Sequence, residues 1–116
     1  MPIAHGSRSL RQSERVILPE SLATVATLWK AHIDAPFPPR LRGQEIAGVD
    51  VVRLDADIAG CVSSWEGNRG KLDSERWAIL TRCRSDLERV LPALSEPQER
   101  AYYRRLYDMA LIVLGN

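Results

Sequence analysis

Between Val51 and Trp65 a single stretch of chain carries two packing faces. Val51, Leu54, Ile58, Cys61, Val62 and Trp65 fall on one side of a 3.6-residue period, which is the spacing of an amphipathic helix. On roughly the opposite side lie Ala56, Gly60 and Ser63. Side chains that small let another element approach closely, so the segment reads as a central helix or as one that meets a second chain. Three other segments carry the same period, and four such stripes call for an all-α fold.

The boundaries of the other three follow from local chemistry. Pro19 suits a first helical turn, and Leu18, Leu22, Val25, Trp29 and Ile33 then step along one face, predicting a helix over 19–34. Pro36, Pro38 and Pro39 stop it, because proline supplies no N–H and clashes with a continuing helix. Residues 46–54 are rich enough in β-branched side chains for a short strand. The apolar steps and the length favour a helix over 49–65, despite a cost of about 1 kcal/mol at Gly60.

After a turn at residues 66–71, Asp73 is a good N-cap, and Leu72 with Trp77 forms a hydrophobic staple. Leu80, Cys83, Leu87, Val90 and Leu91 carry that helix to Pro92. Ser95 and Gln98 read as a capping box with Pro97 in the first turn. The last helix, 96–114, buries Tyr102, Leu106, Met109, Ala110 and Val113 and stops at Gly115. The expectation is an all-α, compact four-helix bundle: a mobile N-terminal tail over 1–16, one helical domain over 17–116, and a long Pro-rich loop between helices one and two.

A chain of 116 residues is one domain. It has no run of 18 apolar residues and no apolar signal core, so the sequence points to a cytoplasmic protein without a membrane span. Net charge is +1, too little to steer the chain toward nucleic acid. Fourteen arginines stand against two lysines. Phosphate or carboxylate recognition would favour the guanidinium fork, but a GC-rich bacterial genome is the simpler reason. Cys61 and Cys83 both fall on core faces and read as buried thiols. Without a clustered histidine pair they make no zinc site, and no metal or other cofactor is expected.

The densest acidic group is Asp50, Asp55 and Asp57. Helical projection puts Asp50 and Asp57 on one flank of the apolar face and Asp55 on the other, so the three cannot converge on one metal. Arg53 is spaced to pair with its acidic neighbours, while Asp55 borders the core beside Val62. Only His5 and His32 occur, and no Glu-x-x-His motif supports a di-metal bundle. His32 sits at the edge of the first helix's stripe, as a boundary histidine with a local partner. Gly67 to Lys71 lacks the spacer and the hydroxyl residue of a phosphate loop, and is a turn.

In residues 36–43, PFPPRLRG, Phe37 is pre-ordered among prolines, and Arg40 with Arg42 is suited to an acidic partner. The plainer alternative is a strap across the bundle pinned by Phe37 and Leu41. Arg100, Arg104 and Arg105, with Arg82 and Arg89, are candidates to track a phosphate backbone. Asp86, Glu96 and Asp108 interrupt them, and Arg104 is placed to pair with Asp108.

The strongest pointer to function is surplus apolar surface. Residues 109–114 are apolar all round, leaving Leu111 and Ile112 to spare, and the second helix adds Val52 beside Ala56 and Gly60. These surfaces are covered within the chain or meet another one. The sequence therefore points to a non-enzymatic interaction module, a homodimer or a binder of a partner protein. One alternative is a nucleic-acid-associated regulator using the arginine-rich faces. Another is a small ligand-binding or enzymatic bundle built on Asp55, His32 and the Arg40/Arg42 loop.

Overall fold

In a computed structural model of the chain, residues 19–115 are described; the expected tail at 1–16 lies outside them. Four helices make up most of that span: α1 Pro19–Asp34, α2 Val51–Gly67, α3 Ser74–Val90 and α4 Pro97–Leu114. Their ends follow the local chemistry. Asp73 accepts from the Arg76 amide at the start of α3, and Gly115 leaves α4 with a left-handed φ of 80°. A side chain at Gly115 would strain that conformation. Pro92 lies within a 3-10 turn, Leu91–Ala93, that closes α3.

Two caps differ from expectation. Asp50 is the N-cap of α2 and accepts from the Val52 and Arg53 amides, while the Arg53 guanidinium pairs with Asp57. The N-cap of α4 is Glu96, with no side-chain cap bond, and the Ser95–Gln98 capping box does not form. Pro97 takes the first helical position, which leaves Ser95 one residue too early. The Arg100 guanidinium closes this corner instead, donating to the carbonyls of Leu94 and Ser95.

The connection between α1 and α2 is more structured than a plain loop. A 3-10 turn over Pro39–Leu41 is followed by a two-residue hairpin, β1 Glu45–Ile46 and β2 Val49–Asp50. Ala47 and Gly48 form its turn with φ of 52° and 77°, the backbone signs of a type I′ turn. Residues 46–54 thus combine both readings, with two-residue strands on either side of the turn and the helix from Val51 onward.

The hub of the bundle is α4, not α2. It packs against all three other helices, whereas α1 leans mainly on α4 and touches α2 sparingly. Tyr102, Tyr103, Leu106, Met109, Ala110, Val113 and Leu114 are all buried, covering too wide an arc for an outer helix. On α2 the expected core face, Val51, Leu54, Ile58, Cys61, Val62 and Trp65, is buried throughout. On α1, Val25 and His32 are the buried pair. Ile33, expected inside, is 60% exposed, because the inward position at that turn belongs to His32, one residue and about 100° away. No helix among the described residues is long and apolar enough to cross a membrane.

Candidate functional site

The proline segment lies across α4 and is held at three points. Leu41 is buried in the core. Phe37 meets Tyr102 edge-on, with centroids 5.6 Å apart at 82°, and the Arg42 guanidinium lies 5.6 Å above the Phe37 ring. Arg40 reaches Glu99 on α4 through two bonds, Nε at 2.9 Å and Nη2 at 3.0 Å. Bidentate pairing of this kind fixes orientation as well as charge. The acidic group that Arg40 meets is therefore inside the chain.

Behind the strap, three helices contribute to one polar cluster. His32 Nε2 lies 2.9 Å from Asp55 Oδ1, and the Tyr102 hydroxyl donates to Asp55 Oδ2 at 2.7 Å. A carboxylate only accepts, so His32 Nε2 is the donor of this bond. Its Nδ1 is buried and has no hydrogen-bond partner. Trp29 and Tyr102 flank the imidazole, with centroids at 6.2 and 4.7 Å. Burial, then the bond to Asp55, pushes the Tyr102 phenol well above its ordinary value. A carboxylate orienting a histidine is also the geometry of a general base. Here the free ring nitrogen has no nucleophile within hydrogen-bond reach, and the arrangement reads as three helices tied together through one carboxylate.

A third buried polar anchor joins α4 to α2. The Tyr103 hydroxyl donates to the Val51 carbonyl at 2.6 Å, and burial drives its phenol far up as well. Cys61 and Cys83 are buried free thiols. Burial, with Asp57 second, pushes the Cys83 thiol up to about 12, which keeps it protonated and unreactive. Among the described residues no group of three or more His, Cys, Asp or Glu is arranged to hold a metal ion.

The arginine-rich outer faces are interleaved with acids. Arg82 pairs with Asp57 at 3.3 Å, Arg89 with Asp86 at 2.8 Å and Arg104 with Asp108 at 3.0 Å. Arg53 stands at 3.9 Å from Asp57. A phosphate backbone arriving here would have to displace carboxylates from most of its cations.

The outer face of α2 is different in kind. Val52 is 43% exposed, and Ala56, Gly60 and Ser63 are exposed beyond it along the same stripe. A β-carbon added at Gly60 would meet no other part of the fold within 4 Å. No charged side chain lies on the stripe itself, whose flanks carry Arg53 and Asp57. Near the end of α4, Leu111 and Ile112 are half-buried, and Ile112 packs against the core.

The sequence put His32 and Asp55 together only in the ligand-binding alternative, gave His32 a local partner, and counted Tyr102 as core. The partner of His32 is instead Asp55, 23 residues on, and Tyr102 shares it. A signal was available in Tyr102, since a buried phenol needs a partner for its hydroxyl. Glu99 was missed too, although it occupies a core position of α4, three and four residues before Tyr102 and Tyr103. No family model, no curated protein and no solved structure matches this chain.

Proposed function

We propose that this chain is a non-enzymatic helical interaction module that pairs with a second copy of itself through the outer face of α2. The observation that supports this reading is the uncharged, uncovered stripe from Val52 through Ala56 and Gly60 to Ser63. Small side chains there permit helix axes to approach to about 8 Å, and a twofold pairing presents the same stripe from both partners. In an antiparallel pair centred between Ala56 and Ala59, Val52 of each copy lies over the low end of the other at Ser63. The bulky end and the hollow end of one stripe are then complementary. Two free cysteines fit a reducing compartment, so the module is assigned to the cytoplasm, and its arginine-for-lysine bias to a GC-rich bacterial source. Paired carboxylates on the arginine-rich faces weigh against a nucleic-acid role.

Absolute mass by light scattering on a size-exclusion column tests the reading. A species near twice 13.0 kDa that dissociates on dilution is expected. A 13.0 kDa species at every concentration rejects self-pairing.

A further inference from the structure

Where the proline strap crosses α4, the two leave a cavity of about 210 Å³ between them. Pro36, Pro38 and Pro39 form one wall. The other is a single face of α4, on which Ala101, Tyr102 and Arg105 follow Gln98 at three, four and seven residues. Proline rings and an aromatic ring make most of this lining apolar, and they offer no N–H donors. The Tyr102 hydroxyl is already committed to Asp55.

Arg105 stands apart from the other arginines of its helix. Arg100 donates to two carbonyls and Arg104 is paired with Asp108. Arg105 Nη1 is buried and has no hydrogen-bond partner. The buried acid of the same helix, Glu99, is taken by both prongs of Arg40, and no ion pair joins Arg105 to a carboxylate among the described residues. A guanidinium has five donors and no acceptor; Arg105 is only half-buried, but leaving its one sealed donor nitrogen unmatched is unfavourable. An acceptor with negative charge is the group this position lacks.

We propose that the groove binds a small organic monocarboxylate, its carboxylate on Arg105 and its apolar body against the strap prolines and the Tyr102 ring. Three features select that chemistry. A single cation matches a single negative charge, and Asp55 behind the Tyr102 hydroxyl repels a dianion such as phosphate. Apolar walls favour a ligand with a hydrocarbon body over acetate. The volume falls below the roughly 300–1,000 Å³ of sites for drug-sized ligands, which limits the occupant to about one ring.

The test is titration of the isotope-labelled full chain, followed by amide NMR, with benzoate, benzamide, acetate and inorganic phosphate as probes. Benzoate is expected to shift the amides of Ala35, Ala101, Tyr102 and Arg105 saturably, and the other three to bind at least about tenfold more weakly, because the site then loses its charge-assisted bond or its apolar contact. Arg105→Gln should weaken benzoate by at least about tenfold. Ala101→Leu should block the groove while keeping the cation, with folding of both variants checked by circular dichroism. No saturable shift with benzoate at millimolar concentration overturns the proposal. So does benzamide, acetate or phosphate binding as tightly as benzoate, or unchanged affinity in either folded variant.

Discussion

Glu99 is buried on the core face of α4, yet both its carboxylate oxygens are occupied by the guanidinium of Arg40, 59 residues earlier in the chain. The pair is lopsided: the Glu99 side chain is 6% exposed and that of Arg40 64%. The two ends should respond differently to mutation. Arg40→Ala strands a buried carboxylate, whereas Glu99→Gln removes the charge and keeps an acceptor for Arg40. Arg40→Ala is expected to lower the melting temperature more than Glu99→Gln, with Arg40→Lys between them because it keeps charge but loses the fork. Equal melting temperatures for all three variants would contradict this account of the strap.

Asp55 holds two buried donors from two other helices, so it should be the most sensitive polar position in the bundle. Asp55→Ala leaves His32 Nε2 and the Tyr102 hydroxyl without their acceptor, and the expected loss is about 2–4 kcal/mol. Tyr102→Phe removes one bond and leaves the other oxygen of Asp55 on His32, for a loss of about 1 kcal/mol. Urea unfolding of both variants measures this. If Asp55→Ala lost no more than Tyr102→Phe, the carboxylate would not be the joint between the helices.

Ala47 holds a φ of 52° in the hairpin turn, a conformation that disfavours a β-carbon and suits asparagine or glycine. Ala47→Asn, or Ala47→Gly, is expected to raise stability by about 0.5–1 kcal/mol. The gain is read from the urea midpoint at constant slope. A loss in both variants would mean that the hairpin turn is not formed as described.

Much of this fold was legible because its signals are local. Pro19, Asp73 and Gly115 mark helix ends through backbone chemistry acting within a few residues, and all three stand where that chemistry puts them. The hairpin was only half visible, since Ala47 is a poor residue for its own turn. That His32, Asp55 and Tyr102 form one bonded cluster was hidden for a different reason. Its members lie 23 and 47 residues apart, and periodicity gives the inward face of each helix without saying which helices adjoin. The same gap made α2 look central: its two faces were correctly read, but only the packing of α1 onto α4 leaves one of them uncovered.

High pH should unfold this protein through its buried acids of high pKa. Burial raises the Cys61 thiol and pushes that of Cys83 up to about 12, and it raises the phenols of Tyr102 and Tyr103 as well. The folded state thus binds protons more tightly than the unfolded one. The stabilisation is complete below the ordinary thiol pKa and is lost as pH climbs through the folded values, from about 9 to about 12 for Cys83, at up to about 1.4 kcal/mol per pH unit. Urea midpoints should fall steadily above about pH 9, and Cys83→Ala should flatten the decline. A flat profile through that range would remove the thiols from the account.

Gly60 separates a free surface from an interface. In an isolated bundle it is an exposed glycine inside a helix with open space where a β-carbon would go, so Gly60→Ala should add about 0.5–1 kcal/mol of helix stability. A methyl group is tolerated by close helix pairing, whereas Gly60→Leu inserts a bulky side chain where two axes approach, and Val52→Glu places a charge on the stripe. If two copies meet there, Gly60→Leu and Val52→Glu should each shift the light-scattering mass to the monomer while circular dichroism stays helical. Neither touches the core, so loss of pairing would not be a secondary effect of unfolding. A dimer that survives both substitutions must use another surface, and the half-buried Leu111 and Ile112 at the end of α4 are the next positions to change.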